Sequence, residues 1–118
     1  MNPELKLQAE CTVWFQNNMV KHRGKFRRVK NETDKFGTTE LQRIKQGVEN
    51  RSTGIVKGTW DAFLMARPIV WIEFKSKTGT LTKEQKEFRD IGIEYGWAFF
   101  VIKELEEFQT ICKEIYNV

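Results

Sequence analysis

The sequence Ile-Val-Trp-Ile-Glu-Phe-Lys, residues 69–75, decides the fold because it is a run of strand-favouring residues interrupted by Glu73. A second apolar run, Trp60–Met65, precedes it, and the tripeptide Ala66-Arg67-Pro68 separates the two. Proline favours a turn and cannot donate a hydrogen bond within a ladder. The pattern therefore predicts a β-hairpin.

Helices and further strands are predicted on both sides of this hairpin. Apolar residues recur at helical spacing in four segments: about Glu4–Val20, Leu41–Val48, Lys83–Tyr95 and Glu104–Tyr116. Two segments have the character of strands: Lys25–Lys30 and Trp97–Ile102. The resulting order, α-β-α-β-β-α-β-α, predicts an α/β fold in which helices pack against a sheet.

Two of these segments carry more detailed expectations. Trp97–Ile102 is continuously apolar, which is typical of a strand buried on both faces. The helix over Lys83–Tyr95 is expected to turn four residues inward: Phe88, Ile91, Gly92 and Tyr95.

Length and composition exclude several classes of protein. The 118 residues suit a single domain spanning 1–118, and no stretch approaches the roughly 20 apolar residues of a membrane span. The first residues lack the pattern of a secretory signal, so a cytoplasmic protein is expected. With two cysteines and one histidine, His22, the chain cannot supply a cysteine or multi-histidine site, so any metal is expected to be a hard cation bound by oxygen atoms.

Positive charge is concentrated in the first half of the chain. Residues 1–50 carry a net charge of +4 and residues 51–118 a net charge of zero. The segment 21–30 supplies six cations without an acid: Lys21, Arg23, Lys25, Arg27, Arg28 and Lys30. Such a block favours a polyanion, nucleic acid before membrane, although a solvated loop would look the same. His22 lies inside it, where it is a poor base and either contacts phosphate or has no role.

Two acidic residues within the apolar hairpin indicate a site for a divalent cation. If the turn has three residues, paired positions sum to 134 and Asp61 lies opposite Glu73. Their Cβ atoms would then be about 4.5–5.5 Å apart. Two carboxylates at that distance on a half-buried sheet repel each other unless a divalent cation binds between them.

Lys75 falls on the same face of the strand as Glu73, because side chains alternate. Its ammonium could stabilise a phosphorane-like transition state or orient the attacking water. Mg²⁺ needs few protein ligands, so Asp61, Glu73 and the Phe74 carbonyl would suffice. The alternative is a cross-strand salt bridge between Lys75 and Asp61 on a solvated face.

Four motifs occur in order along the chain: Gly58-Thr59-Trp60-Asp61, Trp71-Ile72-Glu73-Phe74-Lys75, Gly79-Thr80-Leu81-Thr82-Lys83-Glu84-Gln85 and Tyr95-Gly96-Trp97. Together they resemble the virus-type replication-repair nuclease (VRR-NUC) domain of the PD-(D/E)XK superfamily. The likeness runs from the first helix to Glu106-Glu107 and includes Asn31-Glu32. In this chain Trp60 stands where proline often precedes the aspartate.

The resemblance implies a restriction-endonuclease-like core, with a mixed β-sheet flanked by helices, and cleavage of DNA with Mg²⁺ or Mn²⁺. It makes Asp61 and Glu73 metal ligands and Lys75 the catalytic lysine. Glu10 matches an acidic residue that many members carry on the first helix, where it either reaches the metal or is solvated. By analogy with viral members, a homodimer acting on four-way junctions is expected, and a viral protein of this kind would act in the host cytoplasm.

Gln85 allows two interpretations. It begins the inward stripe of its helix and matches a glutamine that the family associates with the active site. The segment Thr82-Lys83-Glu84-Gln85 also fits a capping box, in which Gln85 reaches back to the backbone of Thr82. The active-site role is favoured, and the two roles are expected to exclude each other at any one time.

The interpretation of function is therefore a metal-dependent DNA endonuclease, with Lys77 joining the six cations of residues 21–30 on the DNA backbone. Two alternatives belong to other classes. One is a nucleic-acid-binding module that has a nuclease-like fold without catalysis. The other is an interaction protein whose basic segment binds an acidic partner.

Overall fold

A computed structural model describes residues 2–29, 40–41, 44–45, 48, 54 and 56–117. The described helices are α1 (Pro3–Asn18), α2 (Lys83–Glu94) and α3 (Leu105–Tyr116). The described strands are β1 (Phe26–Arg28), β2 (Ala62–Leu64), β3 (Val70–Phe74) and β4 (Ala98–Ile102). Within the predicted helix Leu41–Val48, the described positions are helical and the others lie outside the described residues.

The strands form one mixed sheet in the order β1-β2-β3-β4. β2 is antiparallel to both β1 and β3, whereas β4 runs parallel to β3. Helices flank this sheet, so the predicted α/β class is confirmed. The hairpin register is also confirmed, because Ala62 lies opposite Ile72 and paired positions sum to 134. Continuing the register by one residue brings Asp61 level with Glu73.

One face of the sheet supports the hydrophobic core. Helix α1 contributes Leu7, Cys11 and Phe15, spaced four residues apart on one side of the helix, and α3 contributes Phe108 and Cys112. They pack on the inward residues of the sheet: Ala62, Leu64, Val70, Ile72, Phe74 and Ile102. Burial raises the pKa of both cysteine thiols to about 12, so they behave as small apolar residues.

The opposite face packs against α2 through aromatic side chains. Gly92 lets α2 approach β4 closely, because a Cβ at this position would lie 2.2 Å from Cζ of Phe99. This contact turns the helix so that Gln85 and Gly92 are buried and Phe88 is half-buried. The expectation that Ile91 and Tyr95 face inward is wrong, because they are 57% and 73% exposed.

The expectation that the last strand is buried on both faces is wrong as well. β4 has β3 as its hydrogen-bonded neighbour within the described sheet and lies at the end of the strand order. Only Ile102 is fully buried, and Phe100 is 41% exposed. An apolar composition alone does not distinguish a parallel strand in the middle of a sheet from one at its edge.

Candidate metal centre and active site

The Asp61 and Glu73 side chains each accept a backbone N–H from the opposite strand where the hairpin ladder ends. The N–H of Asp61 donates to Oε1 of Glu73 at 3.1 Å, and the N–H of Phe74 donates to Oδ2 of Asp61 at 2.9 Å. The carbonyl of Asp61 accepts from the N–H of Val29 at 2.7 Å, which ties this position to the end of β1. The two predicted ligands therefore meet at one end of the sheet.

Glu73 is a buried carboxyl group, 3% exposed. Its Oε2 accepts from Nε2 of Gln85 at 2.9 Å and lies 3.5 Å from Nζ of Lys75. Burial and then the Asp61 carboxylate raise the pKa of Glu73 from 4.5 to about 8, against the opposing influence of Lys75. The repulsion expected between two adjacent carboxylates is thus present.

Gln85 makes the contacts of both interpretations at once, the capping box and a hydrogen bond to Glu73. Its Oε1 accepts from the N–H of Thr82 at 2.9 Å while Nε2 donates to Glu73, and its own N–H donates to Oγ1 of Thr82 at 3.1 Å. The expectation that one residue could hardly make both sets of contacts at the same time is wrong. An amide has a separate acceptor and donor, so one end completes the capping box and the other fixes the carboxylate.

Two neighbouring residues hold α2 against the site, and sequence reasoning left both without a role. The indole Nε1 of Trp60, a fully buried side chain, donates to the carbonyl of Gln85 at 2.9 Å. Gly58 has a φ of +96°, and a Cβ there would lie 2.6 Å from backbone atoms of Glu84. Trp60 directly precedes Asp61, and side chains alternate along a strand, so the sequence already indicated that the indole lies on the opposite face from Asp61.

Lys75 follows β3 directly and is 9% exposed. Its N–H donates to the carbonyl of Ile102 at 3.0 Å, which anchors it between β3 and the end of β4. A cavity of about 430 Å³ adjoins Lys75 and brings together predicted residues from distant parts of the chain, Glu10 and Lys77. Glu10 is exposed on α1, on the wall of this cavity.

The predicted cations of residues 21–30 line the start of the sheet. Lys21, in a short 3₁₀ turn (Val20–His22), and Arg23 are exposed, and so are Arg27 and Arg28 of β1. Lys25 is half-buried against Tyr116, with Nζ 5.3 Å from the ring centre. Lys30 lies outside the described residues. Arg28 pairs with Ala62, so the basic strand ends beside Asp61.

The donor set suits a hard divalent cation. Within the described part of the chain, no group of three or more His, Cys, Asp or Glu side chains could hold a metal ion. Mg²⁺ and Mn²⁺ nevertheless accept one or two carboxylates and complete their coordination with water and phosphate oxygens. Asp61 and Glu73 supply two such carboxylates. The Phe74 carbonyl and Glu10 stay predictions as further ligands.

No protein-family model, no curated protein and no solved structure matches this chain. None of the described helices has the length and hydropathy needed to cross a membrane. The arguments about function therefore rest on the chemistry of the carboxylate cluster, here defined as Asp61, Glu73, Lys75 and Gln85.

Proposed function

We propose that this protein is a divalent-metal-dependent nuclease that hydrolyses DNA phosphodiester bonds at the carboxylate cluster. One observation carries the proposal. Glu73 is buried beside a second carboxyl group, that of Asp61, with the Lys75 ammonium 3.5 Å away. Two adjacent carboxylates destabilise the fold when both are ionised and no cation lies between them, so their presence at one site favours a role in binding a cation.

The side chains divide the work as follows. Asp61 and Glu73 would hold Mg²⁺ or Mn²⁺, which when bound polarises phosphoryl oxygens and makes water more acidic. Lys75 places a positive charge beside them, where it can donate a hydrogen bond to a phosphate oxygen and stabilise developing negative charge. Gln85 fixes the orientation of the Glu73 carboxylate through its 2.9 Å hydrogen bond.

The order of elements supports the finer part of the proposal. The described strands form a mixed sheet flanked by helices, which is compatible with the core that the VRR-NUC resemblance implies. We extend the proposal to a restriction-endonuclease-like core and to branched DNA, cut by a homodimer whose paired active sites suit a symmetric junction. Light scattering of the purified protein tests the dimer.

One observation favours a second candidate, a nucleic-acid-binding module without catalysis. Both oxygens of Glu73 and one of Asp61 already have partners within the protein. A cluster satisfied in this way could serve only to end the hairpin ladder. This candidate predicts salt-sensitive DNA binding that survives Glu73→Ala, with no cleavage by the unaltered protein.

The test is a cleavage assay on labelled four-way junctions, flaps and linear duplex, with Mg²⁺, Mn²⁺ or EDTA. We expect cutting only with metal, and a loss of about 10²-fold or more in Asp61→Ala and Lys75→Ala. Lys86→Ala, an exposed lysine on α2, is the matched control and should cut normally. Cutting in EDTA, or unchanged cutting by Lys75→Ala, would overturn the mechanism.

A further inference from the structure

A second cavity lies far from the carboxylate cluster, where α1, the 3₁₀ turn and the end of α3 meet. It has a volume of about 410 Å³ and is lined by Asn18, Val20, Lys21, His22 and Asn117. None of these lining residues is acidic, whereas the cavity beside Lys75 includes three glutamates. A cationic wall with amide groups and no carboxylate favours an anion.

The histidine of this cavity is held in one orientation. The ring of His22 stacks on Tyr116, with centres 4.3 Å apart and planes 21° apart. Nζ of Lys25 lies 2.9 Å from its Nδ1. An ammonium group can only donate, so Nδ1 accepts, and the neutral ring carries its proton on Nε2.

That Nε2–H donor has no hydrogen-bond partner among the described residues. Partial desolvation and the neighbouring Lys25 and Lys21 hold the pKa of His22 below its usual 6.5, which keeps the ring neutral and the tautomer fixed. Tyr116 is itself fastened, because its hydroxyl donates to the carbonyl of Met65 at 3.1 Å. The donor is therefore preorganised by contacts from both ends of the chain.

We propose that this cavity binds a backbone phosphate through the Lys21 ammonium and the His22 Nε2–H. The inference rests on the proposed function only in taking DNA as the source of that phosphate. A neutral imidazole N–H beside a lysine supplies one directional hydrogen bond and one charge, which suits a single phosphodiester oxygen pair.

The position of the cavity makes this phosphate different from the one that would be cut. The N–H of Met65 donates to the carbonyl of Lys25 at 2.8 Å, so the 3₁₀ turn lies beyond the turn end of the hairpin. Asp61 precedes Met65 by four residues of extended chain, so the two positions are about 13 Å apart at the usual strand rise. Contacts at this cavity should therefore contribute to affinity and KM, with little effect on kcat.

The experiment measures binding of a labelled duplex in EDTA by fluorescence anisotropy at several salt concentrations. His22→Phe keeps a ring to stack on Tyr116 but removes the donor, and Lys21→Gln removes the charge. We expect each to weaken binding about 3- to 10-fold, with the salt slope reduced by about one only in Lys21→Gln. Lys113→Gln, an exposed lysine on α3, is the control and should bind normally.

A second arm adds inorganic phosphate alone and follows the His22 ring nitrogens by NMR. A shift of Nε2 in the unaltered protein, absent from Lys21→Gln, would show that the cavity binds free phosphate as well as DNA. A shift with phosphate but unchanged duplex binding in both variants would mean that DNA is not the source. Unchanged duplex binding in both variants, without any shift, would overturn the proposal entirely.

These outcomes are separable from failure of the nuclease proposal, because the assays contain no metal and require no cleavage. If the unaltered protein cuts DNA but neither variant changes binding, the phosphate cavity alone is refuted. If both variants bind weakly and no substrate is cut under any condition, the nuclease proposal alone is refuted.

Discussion

At the level of single residues, Gln85 shows how one side chain couples local structure to the site. Its carbonyl oxygen completes the cap of α2, and its amide nitrogen binds the Glu73 carboxylate. Stability of the helix start and orientation of the carboxylate are therefore linked through two atoms. A substitution that changes only one of those atoms separates the two contributions.

Gln85→Glu is that substitution. Glutamate is as good a capping-box residue as glutamine and is favoured by the helix dipole, so the cap should survive. The lost donor would instead be an oxygen facing Glu73. We expect a loss of about 1–3 kcal/mol in the free energy of unfolding, larger at pH 9 than at pH 6. Urea unfolding measures it, with Thr82→Ala as the variant that removes only the cap. Equal losses at both pH values would contradict the contact.

Glu73 should also make the stability of the metal-free protein depend on pH. Its pKa is about 8 when folded and near 4.5 when unfolded, so the folded state binds the extra proton between these values. The associated stability is complete below pH 4.5 and is lost as the pH rises through 8. We expect a decline of roughly 2–4 kcal/mol from pH 5 to pH 9 in EDTA. Glu73→Gln should show a flatter profile, and an identical profile would contradict this assignment.

At the level of elements, the sequence predicts those features of the fold that depend on residues close together in the chain. The hairpin follows from two apolar runs around Ala66-Arg67-Pro68, and the register assumed for it, in which paired positions sum to 134, is the one observed and brings Asp61 level with Glu73. The exposure of Phe100 and Tyr95 could not be predicted, because it depends on which strand lies at the sheet edge and how α2 is rotated. The contact of Gly92 with Phe99 sets that rotation, and it joins different elements.

Gly58 provides a test of how the elements around the site are held together. Gly58→Ala places a Cβ 2.6 Å from the Glu84 backbone, whereas Gly96 has a similar positive φ and open space around it. Gly96→Ala should cost about 1–2 kcal/mol from backbone strain alone. Gly58→Ala should cost a further ~1–3 kcal/mol by overpacking and should also weaken DNA cleavage. Thermal unfolding compares the two, and equal losses would show that the close approach is unimportant.

At the level of the whole molecule, the two acids and the cationic cavity lie at opposite ends of the strands. Asp61 and Glu73 lie where β2 begins and β3 ends, and the exposed arginines of β1 lead towards them. The cavity with Lys21 and His22 lies beyond the other end of the same strands. A long polyanion could therefore contact the basic edge while one of its phosphates reaches the acids.

Metal binding by the acids predicts a change in the stability of the entire fold. A cation that binds only the folded state stabilises it by RT ln(1 + [L]/Kd), or about 1.4 kcal/mol at a concentration ten times Kd. We expect Mg²⁺ or Mn²⁺ to raise the melting temperature by roughly 4–8 °C over EDTA. Asp61→Asn should abolish this rise. Lys75→Met should keep or enlarge it, because the ammonium 3.5 Å from Glu73 competes with the cation. An equal rise in Asp61→Asn would place the cation elsewhere and would leave the two acids as the end of a hairpin ladder.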